Sequence, residues 1–449
     1  MRSTPLLALA ATTLAGHVAV PITRHRLSPP HSSNSRRDDD GRVELEALNN
    51  ITGGGYYAEF KVGTPPQSIS FQLDTGSSDT WVNSVNSDLC TNAAKQRSHG
   101  FCMTPLDRGG FDITYLDGRN IKGSYFNDTI TIGNDKIENQ QLGLASESVR
   151  PTGLMGLGFS ANVAATIQYP TVVDNMASQG LIDTRAFSLY LNDLEANSGT
   201  ILFGAIDSQK YIGDLAVLPM SREADSASAN ITLYSVRISG FDLKDSDGEK
   251  SIDIPDLDSL ALLDTGSTIS LLPEDQVKKL WEKFNVVAVQ GSLTPYIDCA
   301  FRGEKGTGYV FDFVFDGKTI QVPIEEMVVD AFADVRDLFK QYLEVNEGLG
   351  DVIGDWEGVC MFGIGSTSDF DIQFTLLGDT FLRSAYVVYD LDNERIAIAQ
   401  ANLNSSDTNI VDIAAGDLPN ITGVKSESCS PFSSLFSPPP PPLSEAKVS

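Results

Sequence analysis

Histidine is nearly missing from this chain. Four occur in 449 residues, His17, His25, His31 and His99, and three of them precede residue 40. A body left with His99 alone has little material for a Ser-His-Asp triad or a histidine-based zinc site. Cysteine is sparse too: Cys90, Cys102, Cys299, Cys360 and Cys429 include no CxxC pair, which argues against a zinc ribbon or a redox dithiol. Basic residues number 32 against 60 acidic ones, a net charge of −28. Such a surface repels nucleic acid and anionic membranes, so neither is expected as a partner. After the opening residues no apolar run approaches the ~20 residues that span a bilayer, so no transmembrane segment is expected. Carboxylates and hydroxyls, or a cofactor, are left to carry any chemistry.

What is present begins with Arg2, the apolar stretch Leu6–Ala15 and small residues, which together read as a secretory leader over 1–19. Residues 20–37 hold Arg24, Arg26, Arg36 and Arg37 without an acid, and the Arg36-Arg37 pair precedes three aspartates. This is expected to be a basic prosegment, released at the dibasic pair, that lies over an acidic cleft. Protonation of the cleft would loosen its grip. With 41% hydrophobic residues in so long a chain, two lobes are expected, one over 38–225 and one over 226–400. One local cysteine pair in each half fits one disulfide per lobe, Cys90–Cys102 and Cys299–Cys360, and implies an oxidising compartment.

Between residues 55 and 400 short runs rich in β-branched and aromatic residues alternate with turn signals. Strands are expected at 57–62, 69–73, 123–132, 200–203, 310–315 and 386–389. Helices are expected at 274–284 and 325–343. The Ser-rich stretch 221–230 reads as the lobe junction or a surface loop. Residues 401–449, with the run Pro438–Pro442, read as a flexible tail without the terminal hydrophobic stretch of a GPI signal. Asn50, Asn127, Asn230, Asn404 and Asn420 head N-x-S/T sequons, plausible glycan sites after a leader.

The tripeptide Asp-Thr-Gly occurs twice, as Asp74-Thr75-Gly76 and Asp264-Thr265-Gly266. Each copy closes an apolar run and opens onto hydroxyl residues that include Ser77 and Ser267. The apolar run would anchor a strand, and glycine would allow a tight turn that projects the aspartate from the strand end. Thr75 and Thr265 could bond across to the opposite loop, and Ser77 and Ser267 could bond the outer carboxylate oxygens. Two carboxylates held close cannot both ionise cheaply, so they would share one proton and titrate as a pair. The ionised member would draw a proton from a water, and the protonated member would donate to a substrate carbonyl. No metal is needed. Downstream, Leu154-Met155-Gly156 and Leu376-Leu377-Gly378 repeat a second pattern, each suited to pass beneath its loop.

These phrases, with Val62-Gly63-Thr64-Pro65-Pro66-Gln67, Trp81-Val82 and Gly378-Asp379-Thr380-Phe381-Leu382-Arg383, resemble the pepsin-like aspartic proteases over roughly residues 55–400. The resemblance implies a mostly β, bilobal double β-barrel with the active-site cleft between the lobes. It implies an acid-active aspartic endopeptidase made as a zymogen, with Asp74 and Asp264 catalytic and no cofactor. Substrates would be proteins or peptides, and pepstatin-type inhibitors would bind. The shared-proton pair of pepsin is the standard example of this chemistry. The family's flap is matched by Ile113-Thr114-Tyr115-Leu116-Asp117-Gly118, with Tyr115 near the tip and Trp81 in place to steady it by a hydrogen bond. Asp117 reads as a turn residue or a substrate contact, and Leu116 departs from the usual glycine. Phe203-Gly204-Ala205-Ile206-Asp207 is most similar to secreted fungal members, candidapepsin-like and yapsin-like, some preferring basic side chains and others bulky apolar ones. A secreted monomer, free, wall-bound or vacuolar, is expected. A non-catalytic binder on the same fold would need a lost aspartate. A two-carboxylate glycosidase would need an aromatic-lined groove, and only three tryptophans occur.

Overall fold

The structure, a computed structural model, describes residues 12–14, 16–24, 55–85, 102–103, 108–196, 198–222, 230–288, 294–331 and 353–425. Strand Tyr56–Val62 buries Phe60 and exposes Glu59 and Lys61, the alternation of a half-buried strand. It pairs antiparallel with Gln67–Asp74 on one side and with Asn120–Ile132 on the other. Gly153–Gly156, Thr80–Ser84 and Asp135–Glu147 complete the circuit, so six strands close a barrel. Phe60, Phe71, Val82, Ile130, Leu144 and Met155 fill it.

The second half carries a seven-stranded sheet in the order Lys318–Pro323, Val310–Phe315, Ser235–Lys244, Ser259–Leu263, Thr375–Leu377, Ser270–Leu272, Ile364–Ser366. A four-stranded sheet beside it is stapled by the Cys299–Cys360 disulfide across 61 residues of sequence. Helix Glu274–Phe284 starts after Pro273, puts Glu274 and Asp275 in its first turn and ends at left-handed Asn285. Its Val277, Leu280 and Phe284 are buried along one face.

The last strands return to the first half. Ala385–Asp390 is buried at every position, as a central strand with both faces covered must be. It pairs with Ala186–Tyr190, and Arg395–Ala401 continues the sheet to Tyr211–Pro219. Phe187 stacks on Tyr389 with ring centroids 4.7 Å apart, and Tyr234 donates to Leu157 O at 2.6 Å. One apolar core therefore runs through both halves.

Several expectations need correction. Residues 17–24 straddle the boundary expected between leader and prosegment. They form a strand between Ser198–Phe203 and Tyr56–Val62, crossing the 19/20 boundary, with Val18 and Val20 buried on either side of it. The apolar alternation that suits a leader also suits a half-buried strand. Residues 401–425 are not a free tail. Ile410–Asp412 pairs with Ala205–Asp207, Ile413 is buried, and Val424 bridges Ile212. Of the helix expected at 325–343, the described part is the short helix Ile324–Met327 followed by β-branched Val328–Val329, which pairs with the strand Val359–Phe362, and residues 332–343 lie outside the described residues. Cys90, Cys429, the arginines Arg26, Arg36 and Arg37, residues 223–229 and the end of the tail lie outside the described residues, and so does the Cys90–Cys102 pairing. Helix Val172–Ser178, capped by Thr171 and Asp174, was not anticipated.

Candidate active site

Asp74 ends strand Gln67–Asp74 and Asp264 directly follows strand Ser259–Leu263. Each strand has a parallel neighbour carrying the second repeated pattern: Gly153–Gly156 beside the first and Thr375–Leu377 beside the second. Leu157 N donates to Asp74 O at 2.8 Å, and Asp264 N donates to Leu377 O at 3.0 Å. Each Asp-Thr-Gly loop is thus held by backbone from its own half. A Cβ on Gly378 would stand 2.4 Å from Ile269 O, so that passage beneath the loop requires glycine.

The loops also hold each other. Thr75 N donates to Thr265 Oγ1 at 3.1 Å and Thr265 N to Thr75 Oγ1 at 3.0 Å. Thr75 Oγ1 donates to Leu263 O at 2.7 Å and Thr265 Oγ1 to Leu73 O at 2.9 Å. Four buried hydrogen bonds related by an approximate twofold bring the carboxyl groups together. Gly76 N and Gly266 N each donate to their own aspartate's Oδ1 at 2.8 Å. Ser77 Oγ lies 2.5 Å from Asp74 Oδ2, and Ser267 Oγ 2.7 Å from Asp264 Oδ2. A Cβ on Gly266 would stand 2.4 Å from Asp74 Oδ1 and 3.0 Å from Asp264 Oδ1, so both oxygens border one small space that only glycine leaves open. Asp74 and Asp264 are 4% and 6% exposed, which opens the pair to a cleft and little else.

Burial first, and then the charge of Asp264, push the Asp74 carboxyl up to about 7, against the pull of the Ser77 and Gly76 hydrogen bonds. The Asp74 carboxyl therefore holds its proton more tightly than an ordinary carboxylate does. The cleft measures about 770 Å³ and is lined from both halves, by Asp74, Gly76, Tyr115 and Asp117 and by Asp264 and Thr268 among others.

Strand Arg108–Thr114 and strand Asn120–Ile132 form a hairpin over this cleft, turning at Asp117-Gly118, with Gly118 at φ +77°. Trp81 Nε1 donates to Tyr115 Oη at 2.7 Å, and Gly118 N to Tyr115 O at 2.9 Å. Burial and the charge of Asp74 both raise the Tyr115 hydroxyl, which remains a neutral hydrogen-bonding group. Leu116 is half exposed at the tip.

Sequence reasoning passed over three contributors. Gln72 sits two residues before Asp74, on the same face of its strand, where alternation could have marked it. Arg150 reaches the cleft from the connection before Gly153–Gly156, and nothing in its neighbourhood signalled that. Asp79, fully buried, accepts from Tyr125 Oη at 2.9 Å, Tyr169 Oη at 2.6 Å and Ala164 N at 2.6 Å, anchoring the wall behind Trp81.

Comparison with known proteins gives one answer. The family model for eukaryotic aspartyl protease matches residues 55–401. The chain is 33% identical over 421 residues to the probable aspartic-type endopeptidase opsB of Aspergillus fumigatus, covering 91% of this chain and 81% of that one. It is 33% identical to the acid protease of Saccharomycopsis fibuligera, covering 83% and 87%. It is 31% identical to secreted aspartic protease 3 of Candida albicans, covering 78% and 80%. The crystal structure of an aspartic proteinase from Irpex lacteus superposes with a TM-score of 0.60 at 21% identity, over 88% of this chain and all of that one, a likeness of fold.

Proposed function

The chain belongs to the eukaryotic aspartyl protease family and is an aspartic-type endopeptidase, and on that premise we propose that it cuts peptide bonds in acid with a water held between Asp74 and Asp264. The observation that carries this reading is the symmetric convergence of the two carboxyls on one cleft. The ionised carboxylate accepts a proton from the water as its oxygen attacks the substrate carbonyl carbon. The protonated carboxyl donates to the carbonyl oxygen, and a tetrahedral diol forms. Protonation of the amide nitrogen then releases the two fragments. The hairpin tip closes over the peptide, with Tyr115 held by Trp81. Thr75, Gly76, Ser77, Thr265, Gly266 and Ser267 hold the pair in position, and pepstatin-type inhibitors compete for the same space.

The protein is further proposed to be a secreted monomeric zymogen. Relatives named as secreted support export. Strand His17–Arg24 supports a prosegment that begins at or before His17 and is built into the large sheet. Arg24 is 7% exposed, and its charge bears on buried Asp379 and Tyr56. Removal of this strand vacates a position between two others, so activation requires rearrangement of the sheet. Among the described residues no helix is long and apolar enough to cross a membrane.

The test is digestion of a mixed peptide library at acidic pH by the processed protein, read by mass spectrometry with and without pepstatin. Pepstatin-sensitive cleavage lost in both Asp74→Asn and Asp264→Asn is expected. Retained cleavage in the double variant would remove the proposal.

A further inference from the structure

Arg150 sits on the connection between Asp135–Glu147 and Gly153–Gly156, and its backbone is pinned to the first barrel. Asn83 Nδ2 donates to its carbonyl oxygen at 3.1 Å, and its own N–H donates to Ser148 Oγ at 3.1 Å. Pro151 follows, with a fixed φ and no N–H. From that base the side chain reaches three ways. Nη1 donates to Gln72 Oε1 at 3.1 Å, Nη2 lies 3.4 Å from Asp117 Oδ2, and the guanidinium stands 4.8 Å over the Tyr115 ring.

Two of these contacts are with the hairpin and one is with the strand that ends in Asp74. Gln72 is buried, and its Nε2 lies 3.4 Å from Gly266 O, on the loop of the second aspartate. A Cβ on Gly55 would stand 2.7 Å from Gln72 Nε2, so the amide is hemmed in on that side. A line of polar contacts therefore runs from the Asp264 loop through Gln72 and Arg150 to the turn of the hairpin. The contacts of Asp117 with Arg119 lie within the hairpin, whereas the contact with Arg150 crosses to the wall of the cleft. Stability does not explain the arginine. Its Nε is buried without a hydrogen-bond partner, and burying an unpaired N–H works against folding.

We infer that Arg150 is a positioning residue that latches the hairpin over the cleft: its planar fork ties the hairpin turn to the strand of Asp74 and sets where the hairpin rests above the two aspartates before a peptide enters. Trp81 bonds the Tyr115 hydroxyl, and Arg150 covers the face of the same ring. Lifting the hairpin breaks both, together with the Asp117 contact. Lysine offers a single nitrogen in place of the fork that spans Gln72 and Asp117. Arg150 acts through the hairpin, so its loss changes the cleavage of every peptide alike. This inference rests on the peptidase reading above.

The experiment loads the processed enzyme with pepstatin and follows its release, read as the return of cleavage after dilution into excess peptide. Release is first order in the folded complex, so misfolded protein does not enter the rate. Arg150→Met is expected to speed release by about tenfold, the scale of one charge-assisted hydrogen bond with a cation–π contact. Arg150→Lys should speed it by about threefold, and it stands if Arg150→Met folds poorly. With Asp117→Asn already in place, the effect of Arg150→Met should shrink by about threefold, because the cycle isolates their shared contact and cancels what Asp117 does with Arg119. In kcat/KM, with active sites counted by pepstatin titration, Arg150→Met should lower cleavage of peptides with Leu, Glu or Lys beside the scissile bond by the same factor. Release at the wild-type rate in either Arg150 variant overturns the inference and leaves the peptidase reading standing. So do single effects that simply multiply in the double variant, or a loss confined to one peptide. A wild type that neither cuts a peptide nor holds pepstatin overturns both.

Discussion

Asp79 in the first half and Asp379 in the second both lie behind an Asp-Thr-Gly loop. Gly156 N donates to Asp79 O, Asp379 N donates to Ser267 O, and both side chains are fully buried. Asp79 is met by two tyrosine hydroxyls and a backbone N–H. Neither carboxyl oxygen of Asp379 has a hydrogen-bond partner. Burial drives the Asp379 carboxyl far above the ordinary range, only partly offset by the nearby charges of Arg383 and Arg24. Arg383 itself is taken up by Glu326, through Nε to the carboxylate and Nη2 to the backbone carbonyl. The loops in front are near copies, as the proposed chemistry of two equivalent carboxyls requires. The supports behind them answer only to packing, and they have diverged.

The largest test of that contrast concerns the loops. If they are equivalent, Asp74→Asn and Asp264→Asn should each lower kcat/KM by about 10³-fold or more, the scale of general acid–base catalysis. A variant that keeps a tenth of wild-type turnover would break the symmetry. The supports should then behave unequally. Asp79→Ala leaves buried donors without an acceptor and should cost about 3 kcal/mol in denaturant unfolding. Asp379→Asn replaces a group that is neutral at acid pH, and at pH 4 it should change stability by less than about 0.5 kcal/mol.

The pH dependence of stability sharpens the same point. Asp74 is pushed up to about 7 and Asp379 also lies well above its usual value. A carboxyl raised in the folded state binds a proton that the unfolded chain has given up above ~3.9. The stability it contributes is complete below that value and is lost as pH rises through the folded pKa. The melting temperature should therefore fall from pH 4 toward and beyond pH 7. Asp379→Asn should flatten the fall, and a slope unchanged by that substitution would contradict the buried-acid account. A further effect is expected at the hairpin. Trp81→Phe keeps the packing and removes the 2.7 Å bond to Tyr115, and should lower kcat/KM by about tenfold, one hydrogen bond's worth. Its pepstatin affinity should weaken by a similar factor, and an unaltered affinity would detach Tyr115 from closure.

Much of this was legible beforehand. Helix Glu274–Phe284 and strand Val310–Phe315 have their expected bounds, because cap, periodicity and turn residues all lie within the segment itself. The cross-loop threonine bonds and the Trp81–Tyr115 contact also follow the reading of the motifs. Failures came where a segment's state depends on a distant partner. Residues 17–19 read as the end of a leader and 20–24 as the start of a prosegment until Ser198–Phe203 is beside them, and Ile410–Asp412 reads as tail until Ala205–Asp207 accepts it.

The amino-acid order alone determined that this chain holds two matched acids on glycine turns, few histidines to compete for the chemistry, and enough short β segments for a mostly β fold. Only the tertiary structure decided what surrounds those acids. Arg150, Asp117 and Gln72 are far apart in sequence and meet at 3.1 and 3.4 Å, and Asp379 finds itself without a partner. Strand and turn propensities act over a few residues, whereas charge pairing and desolvation act through space, between whichever side chains the closed barrel brings together.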